Sequence, residues 1–393
     1  MSRKVVITNA VRTPIGAMGG ALSNFSVSDL GAIVIKRIIE ETKISTNLID
    51  EVNIGTVFQA GQGQNVARQA SMKAGIPFTV PATTINILCG SGLHSVNLSA
   101  KMIQSGNADV IIAGGMENMS AAPYLLDKAR FGYRLGNSNL IDSMINDGLE
   151  DAFSSQHMGI TAENVAERWH LSREELDIFA EQSQRKAANA IVSGRFKDEI
   201  VPVEVQRKKE TFIFEHDESL RSNTSYESLA KLRPVFKKDG IVTAGNSSGI
   251  GDGAAAVMLM TEEKALELEL DILGYWESGE LAGVEPDFMG IGPVDATRKA
   301  LSKTSYSIED IDLIELNEAF AAQSLAVIEE LKLDSNIVNV NGGAIALGHP
   351  LGASGCRILV SLIHEMKKRK SKIGLASLCI GGGMGSSTII RNK

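Results

Sequence analysis

Three cysteines and six histidines occur in 393 residues, and two of those thiols and one of those imidazoles sit where short apolar runs break into glycine. Cys89 lies in "INILCGSGLHS", His349 in "GGAIALGHPLGASG" and Cys379 in "SLCIGGGMGSS". Cys89 ends an apolar strand-like run just before a helical pattern. A thiol there faces the positive end of the helix dipole and unpaired backbone N–H groups, which favours the thiolate. The flanking glycines permit close approach of a ligand to the backbone, which a cysteine that only packs does not need. His349 occupies a similar strand-to-helix junction, so the two make a candidate nucleophile and base. Cys379 fits either a buried filler or an acid–base group alternating between thiol and thiolate. Asn317, in "ELNEAFAAQS", closes an apolar run, where a carboxamide suits either capping the next helix or holding a catalytic water. His157 and Met158, in "QHMGITAEN", suit the wall of a substrate tunnel. Cys356 falls at helical spacing and is expected in the core; His94, His170, His216 and His364 lack a comparable glycine setting and are given no chemical role.

The elements that must position these residues repeat at long range. "IDEVNIGTVFQAG" (49–61) resembles "IEDIDLIELNEAFAA" (308–322), with Ile49-Asp50 matching Ile311-Asp312. Each is preceded by a helical pattern, 29–41 and 293–303. At nearly the same offset "CGSG" at Cys89 falls opposite "HPLG" at His349, and each is followed by a helical pattern, an apolar strand and a glycine cluster. Short buried strands alternating with amphipathic helices indicate a layered α/β fold. A two-copy duplication implies two halves related by a local twofold axis, which brings the amino ends of equivalent helices, and so Cys89 and His349, together.

The halves differ by an insertion. "GLASLCI" runs through "GGGMG" into "SSTIIRN", whereas "DVIIAGGMEN" is separated from "GAAAVMLM" by a stretch far longer than an ordinary loop. The expected organisation is therefore an N-terminal half at 1–120 and 249–271, an inserted loop domain at 121–248, and a C-terminal half at 272–393. The insertion contains a helical run with Ser172 and Glu175 spaced as a capping box, then turns basic and polar around "VQRKKE" and "LRSNTSYESLAKLRP". An insertion of this length suits a lid or ligand-binding unit better than a solvated excursion.

A formal net charge of −8 argues against a nucleic-acid or anionic-membrane surface as the main partner. Three cysteines form no disulfide framework, and no Cys or His spacing suggests a metal site. The chain enters the strand-like "KVVITNA" without a leader pattern and has no apolar run of membrane-spanning length, so a cytoplasmic location is expected.

Taken in order, "CGSG", "AGGMENMS", "NEAFAAQS", "GGAIALGHPLGASG" and "LCIGGGMG" resemble the thiolases, over essentially the whole chain. "HMGITAENVAE" is similar to the short-chain, acetoacetyl-CoA type. The resemblance implies an α/β fold of two βαβαβαββ halves in a five-layered α/β/α/β/α core with an inserted loop domain that holds coenzyme A. It implies reversible condensation of two acetyl-CoA molecules to acetoacetyl-CoA plus CoA through an acetyl-cysteine, with a homotetramer (a dimer of dimers) as the assembly. Coenzyme A and acetyl-CoA enter as substrates, with no tightly bound cofactor and no metal.

By the same resemblance, Cys89 is the nucleophile, His349 activates it, and Cys379 exchanges the Cα proton of the second acetyl-CoA. His349 and an Asn317-held water form one oxyanion hole; the amides of Cys89 and Gly381 form the other. Preorganised donors of this kind are worth about 3–4 kcal/mol each. Ser248, Arg221 and His157 contact coenzyme A, and Met158, Phe236, Met289 and Phe320 shape the pantetheine and acyl pocket. A broader-range degradative 3-ketoacyl-CoA thiolase is the neighbouring activity. A ketoacyl synthase of related fold is disfavoured by Cys379, since decarboxylation needs no such base. A non-catalytic acyl-CoA-binding protein would be expected to carry damaged catalytic positions, and none is seen.

Overall fold

The computed structural model describes residues 3–207 and 210–393; Lys208 and Lys209 of the basic stretch lie outside the described residues. The first half runs β1 (Val5–Arg12), α1 (Val27–Thr42), β2 (Glu51–Gly55), α2 (Val66–Lys73), β3 (Ala82–Ile85), α3 (Ser91–Gln104) and β4 (Val110–Asn118). After a long excursion that includes α4 (Met158–Arg168) and α5 (Arg173–Val192), it closes with β5 (Gly251–Thr261). The second half runs β6 (Gly274–Gly283), α6 (Gly292–Leu301), β7 (Leu313–Leu316), α7 (Ala321–Leu331), α8 (Leu351–Arg369), β8 (Ile373–Ile380) and β9 (Met384–Arg391).

The strand order is β3-β2-β4-β5-β1 in the first half and β6-β9-β8-β7 in the second. The equivalent first strands of the halves pair edge to edge, Val5 with Trp276, Val6 with Tyr275 and Ile7 with Gly274, so the two sheets are hydrogen-bonded into one. The sequence pattern does not reveal this join, because edge pairing depends on backbone proximity.

Strand side chains alternate between two apolar layers. In β4, Val110, Ile112 and Met116 pack outward against α1 and α2, while Ile111 and Ala113 pack inward on α3 and α8. On the far side, Ile373 and Leu375 of β8 meet Val294 and Val327 of α6 and α7, while Ala376 and Leu378 join the central layer. Burial on both faces explains why these strands read as unbroken hydrophobic runs. The result is five layers, with α3 and α8 in the middle.

The repeated Ile-Asp pair has the same local task in each half. The Asp50 carboxylate accepts from the Asp109 and Val110 amides, and that of Asp312 accepts from the Lys372 and Ile373 amides. Each acidic side chain thereby fixes the start of a neighbouring parallel strand.

The third strand of the second half is reduced to a single bridge between Ile314 and Val338. The Asn339 carboxamide continues the pairing, accepting from the Leu316 amide at 2.8 Å and donating to the Leu316 carbonyl at 2.7 Å.

The capping box at Ser172 and Glu175 is present at the start of α5. The excursion is tied to the core by buried charge. Arg12 at the end of β1 is fully buried, meets Glu199 at 2.6 Å, and grips Asp217 with two bonds of 2.7 and 2.9 Å.

Candidate active site

Cys89 is set by a tight turn rather than by a strand running up to it. β3 ends at Ile85 and α3 begins at Ser91. Between them Leu88 takes a left-handed backbone with φ of 54°, a conformation costing a bulky residue about 1–2 kcal/mol. Asn86 and Ser91 lock it: Asn86 Oδ1 accepts from the Leu88 amide, and Ser91 Oγ accepts from the Ile87 amide while donating to the Leu88 carbonyl.

His349 follows Gly348, whose φ of 103° suits glycine. The His349 amide donates to the Gly249 carbonyl at 2.8 Å. Its Nδ1 lies 2.5 Å from Ser354 Oγ, and that hydroxyl donates to the Pro350 carbonyl at 2.9 Å. Ser354 therefore accepts from Nδ1–H, which leaves the lone pair on Nε2. Burial, and after it the Arg357 charge, pushes the His349 pKa down to about 3, so the imidazole rests neutral.

Helices α3 and α8 cross almost in backbone contact. A Cβ on Gly92 would lie 2.7 Å from the Gly352 carbonyl oxygen, and one on Gly355 would lie 2.5 Å from the Leu93 nitrogen. This brings the residues preceding each helix, Cys89 and His349, to one cavity.

Cys379 is the penultimate residue of β8, buried and paired across the hairpin with Gly385. The three glycines that follow divide their tasks. Gly382 and Gly383, at φ of 77° and 83°, make the turn into β9, whereas Gly381 faces the cavity with Cys379.

The electrostatics differ from the sequence expectation at Cys89. The thiol is held at a pKa pushed up to about 11, because burial outweighs the favourable amides of Gly381 and Cys89 itself. Burial, and secondarily Cys89, also raises the Cys379 thiol. The free site therefore rests as two thiols and a neutral imidazole.

The cavity is about 240 Å³, and ten of the twelve candidate residues line it: Cys89, His157, Met158, Phe236, Ser248, Met289, Phe320, His349, Cys379 and Gly381. His157 stacks on Phe236 at 4.7 Å between centroids, and Phe236 meets Phe320 edge-on at 6.3 Å. A Cβ on Gly159 would lie 2.2 Å from Phe236, so that glycine admits the ring.

The other two candidates lie elsewhere. Asn317 sits behind His349, with Nδ2 3.5 Å from Nε2. It does not cap α7, whose N-cap is Phe320 without a side-chain bond. Arg221 lines a second cavity of about 810 Å³ with Ser219, Ser222 and Asn223. The two cavities share Ser247, Gly249 and Ile250, so an elongated ligand could lie across both.

Sequence reasoning missed the cavity residues Met119, Ile145 and Leu149, whose apolar character carries no chemical signal. It also missed the fully buried Glu117, which accepts from the Val57, Phe58 and Gly352 amides and so ties the His349 loop to the first half. Its place in the quoted "AGGMENMS" was the only available pointer. Among the described residues no cluster of His, Cys, Asp or Glu is arranged to hold a metal, and no helix is long and apolar enough to cross a membrane.

A duplicated five-layer fold with two thiols and an imidazole in one narrow cavity defines a class of cysteine-dependent acyl-transfer enzymes. The chain belongs to the thiolase family of acyltransferases: residues 5–263 match the thiolase N-terminal domain and residues 270–392 the thiolase C-terminal domain. It is 57% identical to an acetyl-CoA acetyltransferase of Chromobacterium violaceum, covering 97% of this chain and 98% of that one. It is 58% identical to one from Pseudomonas aeruginosa, covering 97% of each. Among solved structures it superposes on the Bacillus anthracis acetyl-CoA acetyltransferase with a TM-score of 0.98, at 45% identity and covering 100% and 99% of the two chains. It superposes on human mitochondrial 3-ketoacyl-CoA thiolase in complex with CoA with a TM-score of 0.95, at 44% identity and covering 100% and 98%.

Proposed function

We propose that the protein is an acetyl-CoA C-acetyltransferase, condensing two acetyl-CoA to acetoacetyl-CoA and CoA, and running the reverse thiolysis. The observation that carries this reading is the presence of Cys89, Cys379 and His349 on the wall of one cavity. It is supported by the similarity to bacterial acetyl-CoA acetyltransferases.

In the acylation half, His349 Nε2 takes the Cys89 proton and the sulfur attacks the first thioester carbonyl. The oxyanion rests against the Cys89 and Gly381 amides. Cys379, protonated at rest, gives its proton to the leaving CoA sulfur and becomes a thiolate. That thiolate removes the Cα proton of the second acetyl-CoA, and the carbanion attacks the acetyl-cysteine. A water held by Asn317, with protonated His349, stabilises the second oxyanion. Cys89 then leaves as thiolate and recovers its proton from His349, so the protons balance over the cycle.

Coenzyme A would lie through the shared Ser247–Gly249–Ile250 edge, its pantetheine arm along His157, Phe236 and Ser248, and its anionic end near Arg221. The inserted segment, residues 121–248, supplies most of these contacts. A homotetramer, a dimer of dimers, fits the exposed apolar side chains Phe131, Leu135 and Leu140, which a lone chain would leave in water.

The test is acetylation and turnover of two variants. Cys89→Ser should form no acetyl-enzyme; Cys379→Ser should become acetylated by acetyl-CoA yet fail to condense. Condensation at the wild-type rate by Cys379→Ser would sink the assignment of the base. The broader-range 3-ketoacyl-CoA thiolase reading is separated by thiolysis of 3-ketoacyl-CoAs of increasing length. The small cavity with Met119, Ile145 and Leu149 in its wall favours the short-chain activity.

A further inference from the structure

Arg357 lies in α8 beneath the cavity, is 2% exposed and does not line it. Its Nη1 donates to Glu315 Oε2 at 3.3 Å and its Nη2 to Asn317 Oδ1 at 3.5 Å. Its Nε finds no partner among the described residues. A buried guanidinium left partly unsatisfied is costly and calls for an explanation.

A guanidinium has donors and no acceptor. The Asn317 atom that faces it must therefore be the carbonyl oxygen, which turns the amide N–H group the other way. On that side lies His349 Nε2, 3.5 Å from Asn317 Nδ2. At the opposite edge of the ring, Ser354 receives Nδ1–H. Ser354 and Arg357 are three apart on α8 and so share one helix face. One helical face thus constrains both nitrogens of the imidazole, one directly and the other through Asn317.

We infer that Arg357 is a positioning residue for the acyl-transfer site: it orients the Asn317 carboxamide so that its N–H group, rather than its carbonyl, faces His349 and the water placed there. Glu315 is its counter-ion, aligning the guanidinium from the other side. Without Arg357 the carboxamide can invert, presenting a carbonyl oxygen to the Nε2 lone pair and to a developing oxyanion, both of which it repels. The same cation disfavours protonation of the resting imidazole. This inference rests on the proposed function for its kinetic consequences, but its geometric content does not.

The test pairs Arg357→Met with Glu315→Gln, which avoids stranding a buried carboxylate. The paired variant should keep its far-UV circular dichroism and leave KM for acetoacetyl-CoA thiolysis within about 2-fold, while kcat falls about 10- to 100-fold. Asn317→Ala should cause a similar fall alone and little more when added to the pair, because both act through one group. Arg357→Lys, which keeps a charge opposite Glu315 but cannot span both partners, should fold and recover only part of kcat. Wild-type kcat in either Arg357 variant, or losses that simply multiply with Asn317→Ala, would overturn the inference.

Histidine-ring nitrogen NMR, with His349→Asn to assign the signal, gives a readout independent of turnover. The His349 Nε2 resonance should shift in the paired variant and shift in the same sense in Asn317→Ala; an unchanged resonance would count against the positioning role. If wild-type protein showed no thiolysis, the proposed function would fail while this spectral comparison still decided the role of Arg357.

Discussion

Gly92 and Gly352 bring two helices into backbone contact: a Cβ on Gly92 would lie 2.7 Å from the Gly352 carbonyl oxygen and 3.0 Å from the Cys356 nitrogen. Because the obstructing atoms are backbone, a methyl group there forces the helices apart. Gly92→Ala should cost about 1–3 kcal/mol of stability and, by separating Cys89 from His349, lower kcat more than it raises KM. Urea denaturation and thiolysis kinetics check both halves of this expectation; an unchanged midpoint would show that α3 and α8 have room to spare.

The neutral resting site predicts slow chemistry at Cys89 in the absence of substrate. Burial holds the thiol at a pKa of about 11 against an ordinary 9.0, so iodoacetamide inactivation should keep accelerating above pH 9. A rate that levels off below pH 8 would mean that a thiolate–imidazolium pair already exists in the free enzyme.

His349 also makes stability depend on pH. Its pKa is about 3 in the folded protein against an ordinary 6.5, so between those values the unfolded chain binds the additional proton. The stabilisation is fully present above about pH 6.5 and is lost as pH falls toward 3. Comparing urea midpoints at pH 7 and pH 5, His349→Asn should show a smaller loss than wild type. Equal losses would mean that other groups account for the acid sensitivity.

Arg12 is expected to be structural. Its removal by Arg12→Met leaves Glu199 and Asp217 buried without their cation, at a cost of about 3–5 kcal/mol. Because those carboxylates belong to the inserted segment, protease cleavage within that segment should accelerate before global unfolding, as read by limited proteolysis at temperatures below the melting transition.

Arg221 is expected to act on binding alone, since it lines the second cavity and not the one holding the thiols. Arg221→Ala should raise KM for acetoacetyl-CoA about 10-fold, in line with losing one charged hydrogen bond, with kcat little changed. The effect should shrink with added salt. A matching fall in kcat would place the residue nearer the chemistry than its position indicates.

The candidate residues that meet in one cavity, and the duplication, were legible from local patterns. Cys89 and His349 stand at equivalent offsets before equivalent helices, and each of the repeated aspartates Asp50 and Asp312 meets two amides at the start of a parallel strand. Such features are readable because short-range geometry, a strand running to a turn and then a helix, is encoded in consecutive residues. The glycines of "CIGGGMG" were legible as a clearing, but their division between a hairpin turn and a cavity wall was not, since φ at Gly382 and Gly383 follows from the pairing of β8 with β9.

Protonation states and buried charges depended on residues distant in the chain. A helix amino terminus argued for a Cys89 thiolate, yet the half-buried thiol is pushed up because desolvation by the assembled protein outweighs the nearby amides. Arg12 with Asp217, Glu117 with Gly352, and Arg357 with Asn317 read as ordinary charged or polar residues until folding brings partners far apart in sequence within hydrogen-bond reach. The amino-acid pattern thus carries the candidate reacting groups and the elements that present them. Their protonation, the orientation of Asn317 and the pairing of β1 with β6 arise only in the folded chain, because each is an energy between surfaces that exist only once the two halves have packed.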